Sequence, residues 1–211
     1  MTGFAIDLCG WGLLLCLALA GLQRSRRWPG ACGKCRWPGN MLLVLVLLAA
    51  PFPPARPIEM MRGLFAGLSV TTVVMLVALL LACNGSRRAV FAKSEEGYLP
   101  PLITVVAMLF HPPALGLGPV DPYAWGYDDA HVLALTVGAL ALAAWLASWR
   151  MSALALVLAL TAWRLRLLAS PNLWDYLFDP LLVLGALGVT CVRAVRHMRA
   201  KSRAGHSGAA A

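Results

Sequence analysis

Seven runs of apolar residues recur along this chain, and they constrain its fold more than any other feature. A helix needs about 20 mostly apolar residues to cross the hydrocarbon core of a bilayer. Lipid offers no hydrogen-bond partners, so a backbone that crosses it must pair internally, as a helix does. We therefore predict an all-α fold, a polytopic transmembrane helix bundle with six or seven spans. The predicted spans cover residues 4–22, 41–55, 60–83, 99–117, 131–149, 151–169 and 173–193.

The second run, residues 41–55, leaves the number of spans open. It is short and ends among prolines, so it either crosses the membrane at a tilt or re-enters on the same side. Composition excludes a soluble globular domain, because 60% of the residues are hydrophobic and 13% charged, against about a quarter charged in an average soluble domain. We predict a single transmembrane domain, residues 1–196, followed by a basic, disordered cytoplasmic tail, residues 197–211.

The distribution of lysine and arginine predicts how the chain is threaded. If all seven runs cross, 14 of the 18 basic residues fall on one face of the membrane and 4 on the other. Basic residues concentrate in loops that stay in the cytoplasm. The amino terminus is therefore predicted outside and the carboxyl terminus inside, in a bacterial inner membrane. If residues 41–55 did not cross, the two largest basic clusters would lie on opposite faces of the membrane. The charge rule therefore favours counting residues 41–55 as a span.

The net charge of +9 is explained by the membrane rather than by nucleic acid. It follows from the excess of basic residues in cytoplasmic loops, and no basic stretch is interleaved with the aromatic residues that stack on bases. The predicted partner is the lipid bilayer. Gly63 and Gly67 lie one turn apart in the third run, where small residues allow close packing within the chain, with a second copy or with another membrane subunit.

Cys32 and Cys35 have the spacing of a metal-binding or redox pair. Zinc normally needs four ligands, and no second pair of ligands lies in the predicted cytoplasmic loops, so a reduced pair is the simpler interpretation. The neighbouring positive charge favours a reactive thiolate, which keeps the metal or redox hypothesis open. No cofactor is predicted.

Four arginines on the predicted outer face run against the charge rule and need a partner. Arg164 and Arg166 end the sixth run, while Asp175 and Asp179 begin the seventh and would share a face if helical. Such side chains form either a buried ionic lock or a site for an anionic group such as a lipid phosphate, which arginine can hold with two parallel hydrogen bonds. The candidate substrate-binding residues are Arg62, Arg164, Arg166, Asp175 and Asp179.

The start of the seventh helix has two interpretations. Asp179 before Pro180 is typical of a capped start, since the carboxylate accepts backbone N–H groups and proline suits the first helical position. A helix that begins at Asn172 and bends at Pro180 fits the pattern as well.

The sequence contains no phosphate loop, dinucleotide fingerprint, serine nucleophile elbow or zinc-protease helix. We therefore expect a non-enzymatic accessory or scaffold component of a cell-envelope system. The first alternative is a small permease or flippase for an anionic or lipid-linked substrate, indicated by the outer arginines and the proline-broken second and fourth runs. The second is an enzyme acting on a lipid-linked substrate, with Asp175 or Asp179 as base and Arg164 or Arg166 holding phosphate.

Overall fold

The computed structural model describes residues 10–12, 60, 67–84, 90–127 and 130–208, and all regular secondary structure in these ranges is helical. The predicted all-α class is confirmed. The count of six or seven spans is not confirmed. The elements are α1 (Val70–Asn84), α2 (Lys93–Ala114), a 3-10 turn (Ala124–Gly126), α3 (Ala130–Leu146), α4 (Arg150–Arg164), the short α5 (Trp174–Leu177) and α6 (Pro180–Gly208).

By length and composition, one helix in these ranges could cross a membrane. It covers Pro180–Ser202, whereas Val70–Ala82 and Ala130–Leu146 are apolar but shorter. Large apolar side chains are nevertheless exposed on α1, α2, α3, α4 and α6. Exposed apolar surface of this extent is typical of a membrane or protein contact.

The core lies between α3, α4 and α5. α3 and α4 pack as a hairpin, α1 packs against α4, and α2 packs along α6. The buried face of α4 consists of one serine and four alanines, so its neighbours can approach closely. The central cluster comprises Val137, Ala159, Ala162, Leu173, Tyr176 and Leu177.

The prolines inside α2 change how its backbone is paired. Pro100 and Pro101 have no N–H to donate, so the carbonyls of Glu96 and Gly97 lose their helical partners. Arg193 of α6 replaces both, since its Nη1 donates to the Glu96 carbonyl at 2.7 Å and to the Gly97 carbonyl at 3.2 Å. One guanidinium thus compensates for two missing hydrogen bonds and joins α2 to α6.

Several element boundaries differ from the sequence interpretation or resolve it, and α4 for example ends at Arg164 instead of residue 169. α2 begins six residues before the predicted span, at Lys93, where the Glu95 carboxylate accepts the Ala92 N–H at 3.4 Å. The capped start at Pro180 is confirmed, because the predicted run 173–193 is divided into α5 and α6. α6 continues to Gly208, into the segment predicted as a disordered tail, and residues 198–204 there are rich in good helix formers, namely Met, Arg, Ala and Lys.

Candidate functional site

Asp179 lies between the amino-terminal ends of two helices and is only 6% exposed. Its Oδ1 accepts the Leu182 N–H at 2.8 Å and so caps α6. Its Oδ2 accepts the Ser69 N–H at 2.8 Å and the Thr72 hydroxyl, both at the start of α1. Helix amino termini carry partial positive charge, so both helix dipoles stabilise this carboxylate. Asp179 therefore holds α1 and α6 together.

Glu95 makes a similar link at the opposite end of the bundle, where it is fully buried. Its Oε1 accepts the N–H of Ser152 at 2.6 Å and the hydroxyl of the same residue at 2.7 Å. Trp149, at the cap position of α4, has no side-chain oxygen, so Glu95 of α2 supplies the acceptor. No local sequence pattern marks Glu95 as a cap of α4, because that helix begins more than 50 residues later in the chain.

The two predicted arginines at the end of α4 do lie together. Arg164 and Arg166 are exposed and line a cavity of about 280 Å³ with Tyr127, His131 and Trp163, which we call the arginine pocket. The Arg164 guanidinium lies over the Trp163 ring, 5.9 Å from its centroid. Within the described ranges neither arginine forms an ion pair, so the ionic lock does not form there.

Asp175 has a neutral partner. It accepts the hydroxyl of Tyr123 at 2.9 Å. Burial, followed by this hydrogen bond, raises the pKa of Tyr123 above its ordinary value of 10.0. Asp175 lies in α5, whereas Asp179 precedes α6, because α5 ends at Leu177 and an extended Phe178 follows. The two arginines and two aspartates predicted to share a site thus occupy three separate places.

A set of hydrogen bonds holds the loop around Tyr123, which precedes α3, against the start of α5. The Asn172 side chain donates to the Tyr123 carbonyl at 3.0 Å and accepts the Trp174 N–H at 2.9 Å. The Trp174 indole donates to the Pro122 carbonyl at 2.9 Å. A Cβ atom on Gly126 would lie 1.8 Å from Asn172 Oδ1, so only glycine fits there.

An apolar groove of about 480 Å³ separates α2 from α3, and we call it the α2–α3 groove. Its walls include Leu102 and Val106 of α2 and Leu140 and Ala144 of α3, and Leu156 of α4 lies at its floor. Apart from two threonines and one serine, every lining residue is apolar. Sequence reasoning missed this groove.

Aromatic contacts hold α2 to other parts of the bundle at both ends of the groove. At one end Tyr98 of α2 stacks on Trp149, with ring centroids 6.5 Å apart. At the other end Phe110 of α2 contacts Trp174 at 4.5 Å and Phe178 at 6.4 Å between centroids. The groove is therefore a bounded slot between two points at which α2 is held to the rest of the bundle.

Several predicted residues lie outside the described ranges, namely Cys32, Cys35, Arg62 and Gly63. Gly67 is described; it is exposed and precedes α1. Among the described residues no group of three or more His, Cys, Asp or Glu is placed to hold a metal ion. Comparison of the chain with protein-family models, curated proteins and solved structures finds no match.

Proposed function

We propose that this chain is a multi-pass protein of a bacterial inner membrane, where it serves as a non-enzymatic accessory or scaffold component of a cell-envelope system. The observation that carries the proposal is the apolar outer surface of the described helices. Leu109 of α2 is 72% exposed, Leu135 of α3 is 76% exposed and Leu184 of α6 is 58% exposed. In water such surface costs about 25 cal/mol per Å², and in hydrocarbon this cost disappears.

The hydrogen bonds of the buried Asp179 and Glu95 side chains support a scaffold role. Asp179 and Glu95 both accept hydrogen bonds from the starts of other helices, inside the protein. Each holds two helices in a fixed relation, and neither is exposed to a substrate. A bundle in which buried charges link helices is suited to presenting fixed surfaces to neighbouring subunits.

The second candidate function is a permease or flippase for an anionic or lipid-linked substrate. It is favoured by the arginine pocket, where two exposed guanidinium groups have no carboxylate partner among the described residues. Arginine without an ion pair can bind phosphate or carboxylate strongly. The enzyme alternative is less well supported, because Asp179 already accepts hydrogen bonds from two helix starts and Asp175 accepts one from Tyr123.

Membrane insertion and topology can be tested on the full chain. After washing with alkaline carbonate, the chain should remain in the membrane pellet, and a reporter fused after Ala211 should be active only in the cytoplasm. Release by carbonate, or a periplasmic carboxyl terminus, would contradict the proposal.

The two candidate functions differ in what the purified chain does. A scaffold should migrate as part of a larger complex when native membranes are solubilised gently, and should transport nothing after reconstitution. If the protein instead migrates without partners and moves an anionic lipid across a reconstituted bilayer, the permease or flippase is favoured.

A further inference from the structure

We propose that the α2–α3 groove binds one acyl chain of an anionic phospholipid whose phosphate contacts the arginine pocket. The proposal rests on the membrane location argued above and names a ligand class for two surfaces that the scaffold role leaves unused.

The dimensions of the groove suit a lipid chain. Its lining residues on α3 extend from Leu133 to Ala147. That distance is about 21 Å at the rise of an α-helix. One leaflet of the hydrocarbon core is about 15 Å thick, so a single acyl chain fits within the slot. Small side chains, Ala143 and Ala144 on α3 and Ala155 on α4, leave space for it.

The apolar lining alone would not retain a lipid. Lipid tails are as apolar as the groove, so the hydrophobic effect does not favour the groove over the surrounding bilayer. Close packing in the groove provides one source of preference, because an acyl chain there would contact residues of α2, α3 and α4. The second source must be the head group.

The arginine pocket supplies that second source. It shares α3 with the groove, since Ala130 lines the pocket and Leu133, one turn later, lines the groove. Trp163 of the pocket and Leu156 of the groove floor are seven residues apart on one face of α4. Two exposed guanidinium groups at this end complement a phosphate, and the threading predicted from charge places them at the outer leaflet.

Photocrosslinking tests the proposal directly. The full-length chain is reconstituted in nanodiscs containing phosphatidylglycerol with a diazirine on its acyl chain, and the crosslinked peptides are identified by mass spectrometry. Labelling is expected to concentrate on the groove walls of α2 and α3. Uniform labelling of all exposed apolar faces, including Leu135, would overturn the proposal. So would an unlabelled groove, which would mean that a second copy or another segment of the protein fills it.

Substitutions on α3 provide the matched comparison. Ala143→Trp places a large ring in the groove and should lower its labelling about tenfold or more. Ala139→Trp, on the same helix but outside the lining, should leave labelling unchanged. Thr136→Trp, a second lining position, repeats the test if Ala143→Trp does not fold. Equal labelling of lining and control variants would overturn the proposal.

The head-group part is tested with two lipids. Replacing Arg164 and Arg166 by glutamine should reduce the preference for phosphatidylglycerol over phosphatidylcholine about tenfold, while the acyl chain of phosphatidylcholine still labels the groove. An unchanged preference would overturn the role of the arginine pocket. Carbonate extraction measures membrane insertion separately from lipid labelling. If the protein stays in the membrane but its groove is not labelled, this inference is refuted and the proposed function is not.

Discussion

The Asp179 carboxylate accepts hydrogen bonds from two helix starts, so its removal should loosen both helices. We expect Asp179→Ala to lower the free energy of unfolding in detergent by about 3 kcal/mol, about 1 for the cap and the rest for donors left unpaired. Asp121→Ala is the control, because Asp121 is exposed and accepts one N–H from Tyr123, two residues later. The control should lose less than about 1 kcal/mol. Equal losses would contradict this role of Asp179.

Tyr123 should make the fold sensitive to alkaline pH. Its pKa is raised above 10.0 in the folded protein, mainly by burial and then by Asp175. The folded state therefore keeps this proton longer than the unfolded state, so the stabilisation is complete below pH 10 and declines above it. Thermal unfolding at increasing pH should show a steeper loss of stability for the wild type than for Tyr123→Phe. Identical pH profiles would contradict the raised pKa.

The residue types of the candidate site were predictable, but their partners were not. Asp179 before Pro180 indicated a helix cap, and the structure contains that cap. The same carboxylate also bonds Ser69, 110 residues earlier in the chain, and no local pattern signals so distant a contact. Likewise Arg164 and Arg166 both line the arginine pocket, whereas Asp175, which was predicted to share their site, is bonded to Tyr123 instead.

At the scale of the helices, Arg193 should stabilise α2, because it donates to the two carbonyls that Pro100 and Pro101 leave without a helical partner. We expect Arg193→Ala to cost about 2 kcal/mol, since two backbone carbonyls lose a charged donor. The loss should shrink when Pro100 and Pro101 are both alanine, because the helix then supplies its own donors. A double-mutant cycle measured by thermal unfolding checks this coupling, with the exposed Arg196→Ala as control. Additive effects would contradict it.

The carboxyl ends of α3 and α4 offer a matched pair of positions. Ser148 and Arg166 both follow a helix end with positive φ, 62° and 50°, a conformation that glycine adopts most easily. We expect Ser148→Gly and Arg166→Gly each to raise the free energy of unfolding by about 1 kcal/mol. Only Arg166→Gly should also weaken the preference for phosphatidylglycerol. Loss of that preference in Ser148→Gly would show that the lipid effect is indirect.

The extent of the helices was only partly predictable, because it too depends on contacts between residues far apart in the chain. Prolines normally interrupt a helix, which is why the fourth run was interpreted as broken. α2 instead includes Pro100, Pro101, Pro112 and Pro113, and Arg193, nearly 100 residues later, bonds the carbonyls freed by the first pair. The continuity of this helix therefore depends on tertiary packing that the sequence does not reveal locally.

For the whole molecule, composition led to the helical class: it predicted a membrane protein, whose backbone must pair internally, and the described residues are helical. The α2–α3 groove was not predictable in this way. It exists because α2 packs along α6 and is held at its two ends by Tyr98 against Trp149, before α4, and by Phe110 against Trp174 of α5. Apolar periodicity shows which faces avoid water, but it does not show which faces meet protein and which meet lipid.

The central claim, that the exposed apolar faces contact hydrocarbon, can be measured with spin labels. A nitroxide is attached in turn at Leu109 and Leu135 of the full chain in liposomes, and its collisions with oxygen and with a water-soluble nickel complex are compared. Both positions are strongly exposed in the isolated chain. The account predicts frequent collisions with oxygen and rare collisions with nickel at both. Frequent collisions with nickel would place these helices in water and contradict it.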